Sequence, residues 1–169
     1  ERDLCAAFPR RSWPATSHRL LIQQRGSTDA DQREFLEALG NGKTHILMGV
    51  LGGIFAEGVD YPGRMLSQVI VVSPGLPQFN LEREFLKAYY QENYEHGFGY
   101  AYLIPGMTRV VQAAGRLIRS DTDRGIITLV GRRFLDGRYA RHLPEEWLDE
   151  DPTSLLHPDP ERAVRDFFE

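Results

Sequence analysis

Short apolar runs separated by amphipathic stretches restrict this chain to an alternating strand and helix fold. The runs at 46–51, 69–72 and 126–130 contain no charged residue, and a further strand is expected over 19–24. Continuous apolar strands belong in a parallel sheet covered on both faces. Helical periods lie between them. Thr28 or Asp29 caps a helix over 31–39 with Phe35, Leu36 and Leu39 on one face, Asn80 caps another that runs to Tyr94, and a third covers 107–119. The pattern predicts an α/β fold with a mostly parallel sheet and helices on both faces. A helix end is expected over 1–8, then a loop marked by Pro9, Trp13 and Pro14. At the other end 155–160 reads as a linker before a short amphipathic helix ending Phe167-Phe168. With 169 residues the expectation is one domain over 1–144, followed by an acidic tail with a short helix over 145–169. A chain of this size buries roughly 70% of its unfolded surface, so it needs no metal or disulfide staple.

Two segments carry chemistry. In Gln112-Ala113-Ala114-Gly115-Arg116-Leu117-Ile118-Arg119 the amide and the two guanidinium groups are spaced at offsets of zero, four and seven. On a helix they share one narrow face with Arg109, while Val110, Val111, Ala114, Leu117 and Ile118 take the other. Guanidinium groups stay charged at physiological pH and bind phosphate oxygens bidentately, so such an edge suits a polyphosphate. A solvated basic face is the plain alternative. Against it, Gly115 mid-helix costs about 1 kcal/mol relative to alanine. The second segment, 52–63, places Glu57, Gly58 and Asp60 among four glycines and Pro62, directly after the 46–51 strand. Loops at the carboxyl ends of strands are where open α/β sheets bind ligands.

Together these segments resemble the second motor domain of the XPD/DinG family of superfamily two DNA helicases, over 44–134. Residues 52–63 are similar to that family's motif V, a glycine-rich turn followed by Glu-Gly-x-Asp. Residues 112–119 are similar to motif VI, Gln-x-x-Gly-Arg-x-Ile-Arg. Thr122-Asp123-Arg124-Gly125 and Arg132-Arg133-Phe134 also fit, but Gly131 stands where the family pattern leads us to expect an acidic residue. The resemblance implies a RecA-like domain and half of an ATP-driven motor. Arg116 and Arg119 would be arginine fingers, Gln112 would sense the γ-phosphate, and Glu57, Gly58, Asp60 and Gly115 would line the nucleotide side. ATP and Mg2+ would be shared with a first motor domain lying before Glu1, which would hold the P-loop lysine, the magnesium-binding carboxylate and any iron–sulphur cluster. Motif IV would also lie before Glu1. The implied partners are that first domain and single-stranded DNA, tracked 5′ to 3′, with a cytoplasmic, nucleoid-associated location if the source is bacterial. Taken alone, the chain would neither hydrolyse ATP nor unwind DNA.

The net charge of −4 hides two opposite regions. Residues 109–141 carry a local +5 and residues 142–169 a local −7, which is a basic working surface followed by an acidic tail. With Arg109, the aromatic residues Phe98 and Tyr100 are the candidate DNA contacts, stacking being open to any base. Tyr89 and Tyr90 read as helix packing residues. Cys5 is the only cysteine, which excludes an internal disulfide and a cysteine-built metal site and fits a reducing compartment. The five histidines show no ligand spacing, so no metal site is expected. No apolar run reaches the ~18 residues of a membrane span, and no secretion leader precedes Leu4. Gly42-Lys43-Thr44 imitates a phosphate-binding loop, but position 37 is Glu where that motif needs glycine, and a helix precedes it where a strand should. Gly40 or Gly42 reads instead as a helix C-cap. Ser73-Pro74-Gly75 lacks the earlier glycine of a nucleophile elbow. Two other readings stay open: a non-motor α/β nucleic-acid-binding module, and a small-molecule enzyme with a Rossmann-like sheet.

Overall fold

Parallel strand pairing organises both parts of the chain. The computed structural model describes residues 19–24, 26, 28–40, 43–61, 65–148, 153 and 156–169. The expected helix end at 1–8, Cys5, the loop at Pro9, Trp13 and Pro14, His18, Gly42, Pro62, Gly63 and Leu155 lie outside them. Two compact units are present, Glu1–Met48 and Gly49–Glu169.

In the first unit β1 (Arg19–Ile22) pairs in parallel with β2 (His45–Met48). Parallel neighbours need a crossover, and α1 (Asp29–Leu39) lies between the two strands in sequence. Thr28 starts this helix with a reciprocal cap: its hydroxyl accepts from the Asp31 amide, and the Asp31 carboxylate accepts from the Thr28 amide at 2.6 Å. Such boxes satisfy two orphan donors of the first turn. At the other end the Gly40 amide donates to the Leu36 carbonyl at 3.0 Å. Gly40 therefore caps α1, in a right-handed conformation. The helix-then-strand order around Lys43 is the reverse of a phosphate-binding loop.

In the second unit β3 (Gln68–Val72) pairs in parallel with β4 (Ile126–Val130), with Gln68 opposite Ile126 and Val72 opposite Val130. Between them run α2 (Leu81–Tyr94) and α3 (Ile104–Ala114). Asn80 caps α2 through its side-chain oxygen, which accepts from the Arg83 amide at 2.8 Å. The glycine- and aromatic-rich segment before α3 is helical: Gly99–Leu103 forms a π-helical turn that runs directly into α3. Its reason is local anchoring. Tyr102 Oη donates to Glu84 Oε1 at 2.8 Å, and Arg83 Nη1 donates to the Ala101 carbonyl at 3.2 Å. Both bonds tie the turn to α2.

The core of this unit is Val71 of β3 packed with Leu103, Met107, Val110, Phe134, Tyr139 and Leu143. Phe134 belongs to a 3₁₀ turn, Arg132–Leu135, that leads into α4 (Gly137–Ala140). Trp147 and Leu148 pack against the same core. The last helix, α5 (Pro160–Phe168), is capped by Asp159 and ends Phe167-Phe168; Phe167 lies under the Arg124 guanidinium, 5.5 Å from its ring centre.

Gly131 follows β4 with φ +146° and ψ +137°. Side-chain-bearing residues avoid that region. The backbone accounts for the missing carboxylate, because the chain turns here in a way that only glycine follows without strain. Gly131→Asp, which restores the expected acidic residue, should lower stability by about 1–3 kcal/mol in urea denaturation of the chain; an unchanged midpoint would mean that the turn relaxes freely.

Candidate functional site

Helix α3 is short of the length its sequence suggests. Met107, Val110 and Ala114 are fully buried on its inner face, and Pro105 stands where the π-turn passes into the α-helix. Regular α-helix stops at Ala114. Gly115, expected inside the helix, is its C-cap, with its amide bonded to the Val111 carbonyl at 2.8 Å. The next amides shift to partners three residues back, Arg116 to Ala113 at 3.3 Å and Leu117 to Ala114 at 3.0 Å. Leu117 stays in the core, 4% exposed, as on a continued helix, but Ile118, expected on the apolar face, is left 44% exposed. Asp123 then fixes the next turn: its Oδ2 accepts from the Arg119 and Ser120 amides, each at 2.8 Å. Those bonds, the Arg119 amide first, hold its carboxyl below the usual carboxylate range. Arg116 and Arg119 thus leave a helix C-terminus, where the negative end of the dipole favours cations.

The facing segment begins with a tight turn at Gly52 and Gly53 and continues as a π-helical turn, Ile54–Gly58. Single π-turns are frequent at functional sites. Phe55, Val59 and Tyr61 are buried, Glu57 is half-buried and Asp60 is exposed. Tyr61 Oη donates to the Phe55 carbonyl at 2.7 Å, closing the segment on itself. Burial pushes the Tyr61 phenol up to about 12, against an opposing pull from Arg116.

The two segments meet through guanidinium groups. Arg116 donates to the Glu57 carbonyl. Arg119 Nη1 donates to the Tyr61 carbonyl at 3.2 Å, and its Nη2 lies 2.7 Å from Asp60 Oδ1. An open cavity of about 410 Å³ results, lined by Glu57, Gln112, Gly115, Arg116 and Arg119. Gln112 is exposed on its edge. Arg109 turns inward: Nη1 donates to the Gly75 carbonyl at 3.3 Å, and Nε lies 4.0 Å from Glu57 Oε1. That carboxylate oxygen is buried without a hydrogen-bond partner.

Of the residues singled out from sequence, Gln112, Gly115, Arg116, Arg119 and Glu57 line the cavity together, and Asp60 joins through Arg119. Gly58 sits at the end of the π-turn, where an added β-carbon would lie 3.3 Å from Ile54 Cγ1. Phe98 and Tyr100 do not line the cavity. They stack on Tyr102 and Tyr90, with ring centres 5.6 and 4.8 Å apart, and remain nearly half exposed. Tyr61, Asp123 and Gly75 were missed. Tyr61 offered a signal, an aromatic residue beside the Glu-Gly-x-Asp turn; Gly75 contributes only a carbonyl, which sequence does not mark. Among the described residues no cluster of three or more histidines, cysteines or carboxylates could hold a metal, and no helix is long and apolar enough to cross a membrane.

Residues 4–150 match the helicase C-terminal domain family. The chain belongs to that family, in its XPD/DinG branch. The ATP-dependent DNA helicase DinG of Photobacterium profundum is 29% identical over 126 residues, which are 73% of this chain and 18% of that protein. The general transcription and DNA repair factor IIH helicase subunit XPD/RAD3 of Saccharomyces cerevisiae is 30% identical over 117 residues, 68% of this chain and 14% of that protein. A regulator of telomere elongation helicase 1 homolog of Drosophila persimilis is 29% identical over 161 residues, 88% of this chain and 16% of that protein. The chain therefore spans less than a fifth of the length of these relatives. A solved structure titled XPD_APO superposes with a TM-score of 0.55 at 22% identity, covering 73% of this chain and 26% of that one. Its likeness shows the RecA-like α/β fold.

In this helicase C-terminal domain Tyr61 is the residue that closes the 52–61 turn. Tyr61→Phe should cost about 1–3 kcal/mol in urea denaturation, because it strips the Phe55 carbonyl of its donor. The raised phenol gives the sign with pH. Its contribution is complete below the ordinary value of 10.0 and is lost as pH rises toward about 12, so the variant should lack that part of the alkaline decline; identical alkaline profiles would remove Tyr61 from this role.

Proposed function

We propose that this domain is the second motor domain of an ATP-dependent DNA helicase, with a RecA-like domain over 1–144 and an acidic tail over 145–169. One observation carries the reading. Arg116 and Arg119 are presented at the edge of one cavity and steadied mainly by backbone carbonyls, which bear no charge to cancel theirs. A guanidinium has five N–H donors in a planar fork. Arg116 commits one to Glu57 and Arg119 two to Tyr61 and Asp60, so both keep donors for a phosphate.

The donor set fits a triphosphate: two guanidiniums with spare N–H groups and an amide. No cluster of metal ligands occurs among the described residues, so Mg2+ would be held by the first motor domain of the same polypeptide, as would any iron–sulphur cluster. When bound, the metal supplies charge neutralisation to the β- and γ-phosphates. The role of this chain is then to bring positive charge to the transferring phosphoryl group from the opposite side, Arg116 and Arg119 acting as arginine fingers and Gln112 as the γ-phosphate sensor. Glu57, Gly58, Asp60 and Gly115 form the nucleotide-facing edge around them.

The Arg119–Asp60 pair is more than one-third exposed on both sides. Exposed pairs are worth only about 0.2–1 kcal/mol, while a charge-assisted bond to phosphate is roughly twice as strong as a neutral one. Arg119 can therefore exchange Asp60 for phosphate, and the 52–61 turn loses one restraint as it does so. In this way nucleotide state reaches the segment that couples it to single-stranded DNA. Phe98 and Tyr100 supply half-exposed rings for stacking on bases, and movement would run 5′ to 3′. The domain alone has neither a P-loop lysine nor ATPase activity in this reading. A cytoplasmic, nucleoid-associated setting follows if the source is bacterial.

The deciding experiment measures DNA-stimulated ATP turnover by the full-length protein. Arg116→Ala and Arg119→Ala should each reduce it severely, since an arginine finger is worth about three to five orders of magnitude, with the fold and most of the DNA affinity retained. Wild-type turnover in both would leave the non-motor nucleic-acid-binding module as the better reading. Asp60→Ala, measured on the same assay and on a forked duplex, should lower unwinding more than hydrolysis; equal losses would place Asp60 in the chemistry or the fold instead.

A further inference from the structure

Arg109 lies on α3 just before Gln112, and its place on the basic edge invites the role of a DNA phosphate contact. Its surroundings describe a different one. The side chain runs across the face of Gly52, where an added β-carbon would lie 3.1 Å from Nε and 3.2 Å from Cζ. Gly52 also has φ +83°, so the position admits glycine for two independent reasons. Gly75 lies on its other side: an added β-carbon there would crowd Leu51 at 3.1 Å and meet Arg109 Cβ only at an ordinary 3.5 Å, so what Gly75 gives Arg109 is its carbonyl. Between these two glycines the guanidinium reaches the Gly75 carbonyl with Nη1 at 3.3 Å and faces Glu57 Oε1 across 4.0 Å from Nε. One side chain thus touches three stretches of backbone: α3, the turn at 52–57, and the connection after β3.

We infer that Arg109 is the positioning residue that seats the 52–60 turn against α3, acting on the nucleotide-facing edge through Glu57 and making no contact with the DNA backbone. Only a planar fork fills this seat. It sends one N–H to a carbonyl and turns another edge toward a carboxylate, which a lysine ammonium on its flexible stem cannot reproduce. Glu57 gains from such a neighbour because its Oε1 is buried without a hydrogen bond, although the side chain as a whole is about one-third exposed, and the Arg109 guanidinium is the cation that faces it. The Glu57 carbonyl is also the acceptor that steadies Arg116. Displacing Arg109 therefore shifts an arginine finger without touching it. The inference rests on the cavity being the edge that meets ATP.

The test uses Arg109→Lys, Arg109→Ala and Gly52→Ala in the full-length protein, with Arg119→Ala as a reference. ATP turnover, unwinding per ATP hydrolysed, melting temperature, and oligothymidylate affinity at several salt concentrations are measured on each. If Arg109 positions the turn and through it Arg116, the lysine and alanine variants alike lose ATP turnover by about tenfold or more, because an ångström of misplacement costs up to about 10²-fold, and unwinding per ATP falls as well. Their log–log salt slopes stay at the wild-type value. Gly52→Ala, which keeps Arg109 but crowds its seat, gives the same loss. If Arg109 were a phosphate contact, the alanine variant would flatten the slope by about 0.7, with lysine close to wild type; that result overturns the inference. Should Arg109→Ala fail to fold, the lysine and Gly52 variants decide, and wild-type turnover in both overturns it as well. Loss of turnover in Arg119→Ala beside normal Arg109→Lys defeats this inference alone, whereas wild-type turnover in Arg119→Ala defeats the reading of the cavity.

Discussion

Guanidinium groups bonded to backbone carbonyls join the two halves of this site. Arg109, Arg116 and Arg119 each reach from the α3 segment to a carbonyl oxygen on another stretch, at Gly75, Glu57 and Tyr61. A carbonyl gives direction and a hydrogen bond but leaves the cationic charge in place. Carboxylates there would have given tighter local pairing and a neutral cavity. The one full ion pair at hydrogen-bond distance, Arg119 with Asp60, is also the more exposed arrangement, so solvent screening keeps it weak. The surface stays able to attract an anion while its parts are held in register.

That arrangement depends on where α3 stops. A helix continued to Arg119 would have put Leu117 and Ile118 on one apolar face; with the tighter turn after Ala114 Leu117 is buried at 4% exposure while Ile118 is 44% exposed. Asp123, four residues beyond Arg119, then binds the amides left without helical partners. The basic edge is therefore a helix terminus followed by a capped turn. In a C-terminus the last carbonyls lack intrahelical partners, and cations nearby are favoured for that reason.

Features set by near neighbours in the chain were legible in the sequence. Thr28 and Asn80 start α1 and α2 as their side chains dictate, and β4 occupies 126–130 as expected. The shared cavity of Gln112, Arg116 and Arg119 was legible too, although through a regular helix that the chain does not form. What escaped depends on distant partners. The Arg109 seat needs Gly52 and Gly75, 57 and 34 positions away, and no local pattern announces that those two glycines flank one arginine. Helical structure around Phe98 and Tyr100 depends on Glu84 and Arg83 reaching forward from α2; glycines at 97 and 99 point to a loop when read locally. Family membership rested on the order of the two motifs, whose residue types survive even where the local geometry differs from the simplest expectation.

Tyr61 enters the site twice, by its main-chain carbonyl toward Arg119 and by its ring, which is 3% exposed and tethered to Phe55. A pull on that carbonyl cannot be absorbed by swinging the ring aside, since close-packed interiors transmit strain with little give. The stretch from 55 to 61 is thus anchored by its own buried rings, and a pull at the arginine edge is passed along the turn to Phe55.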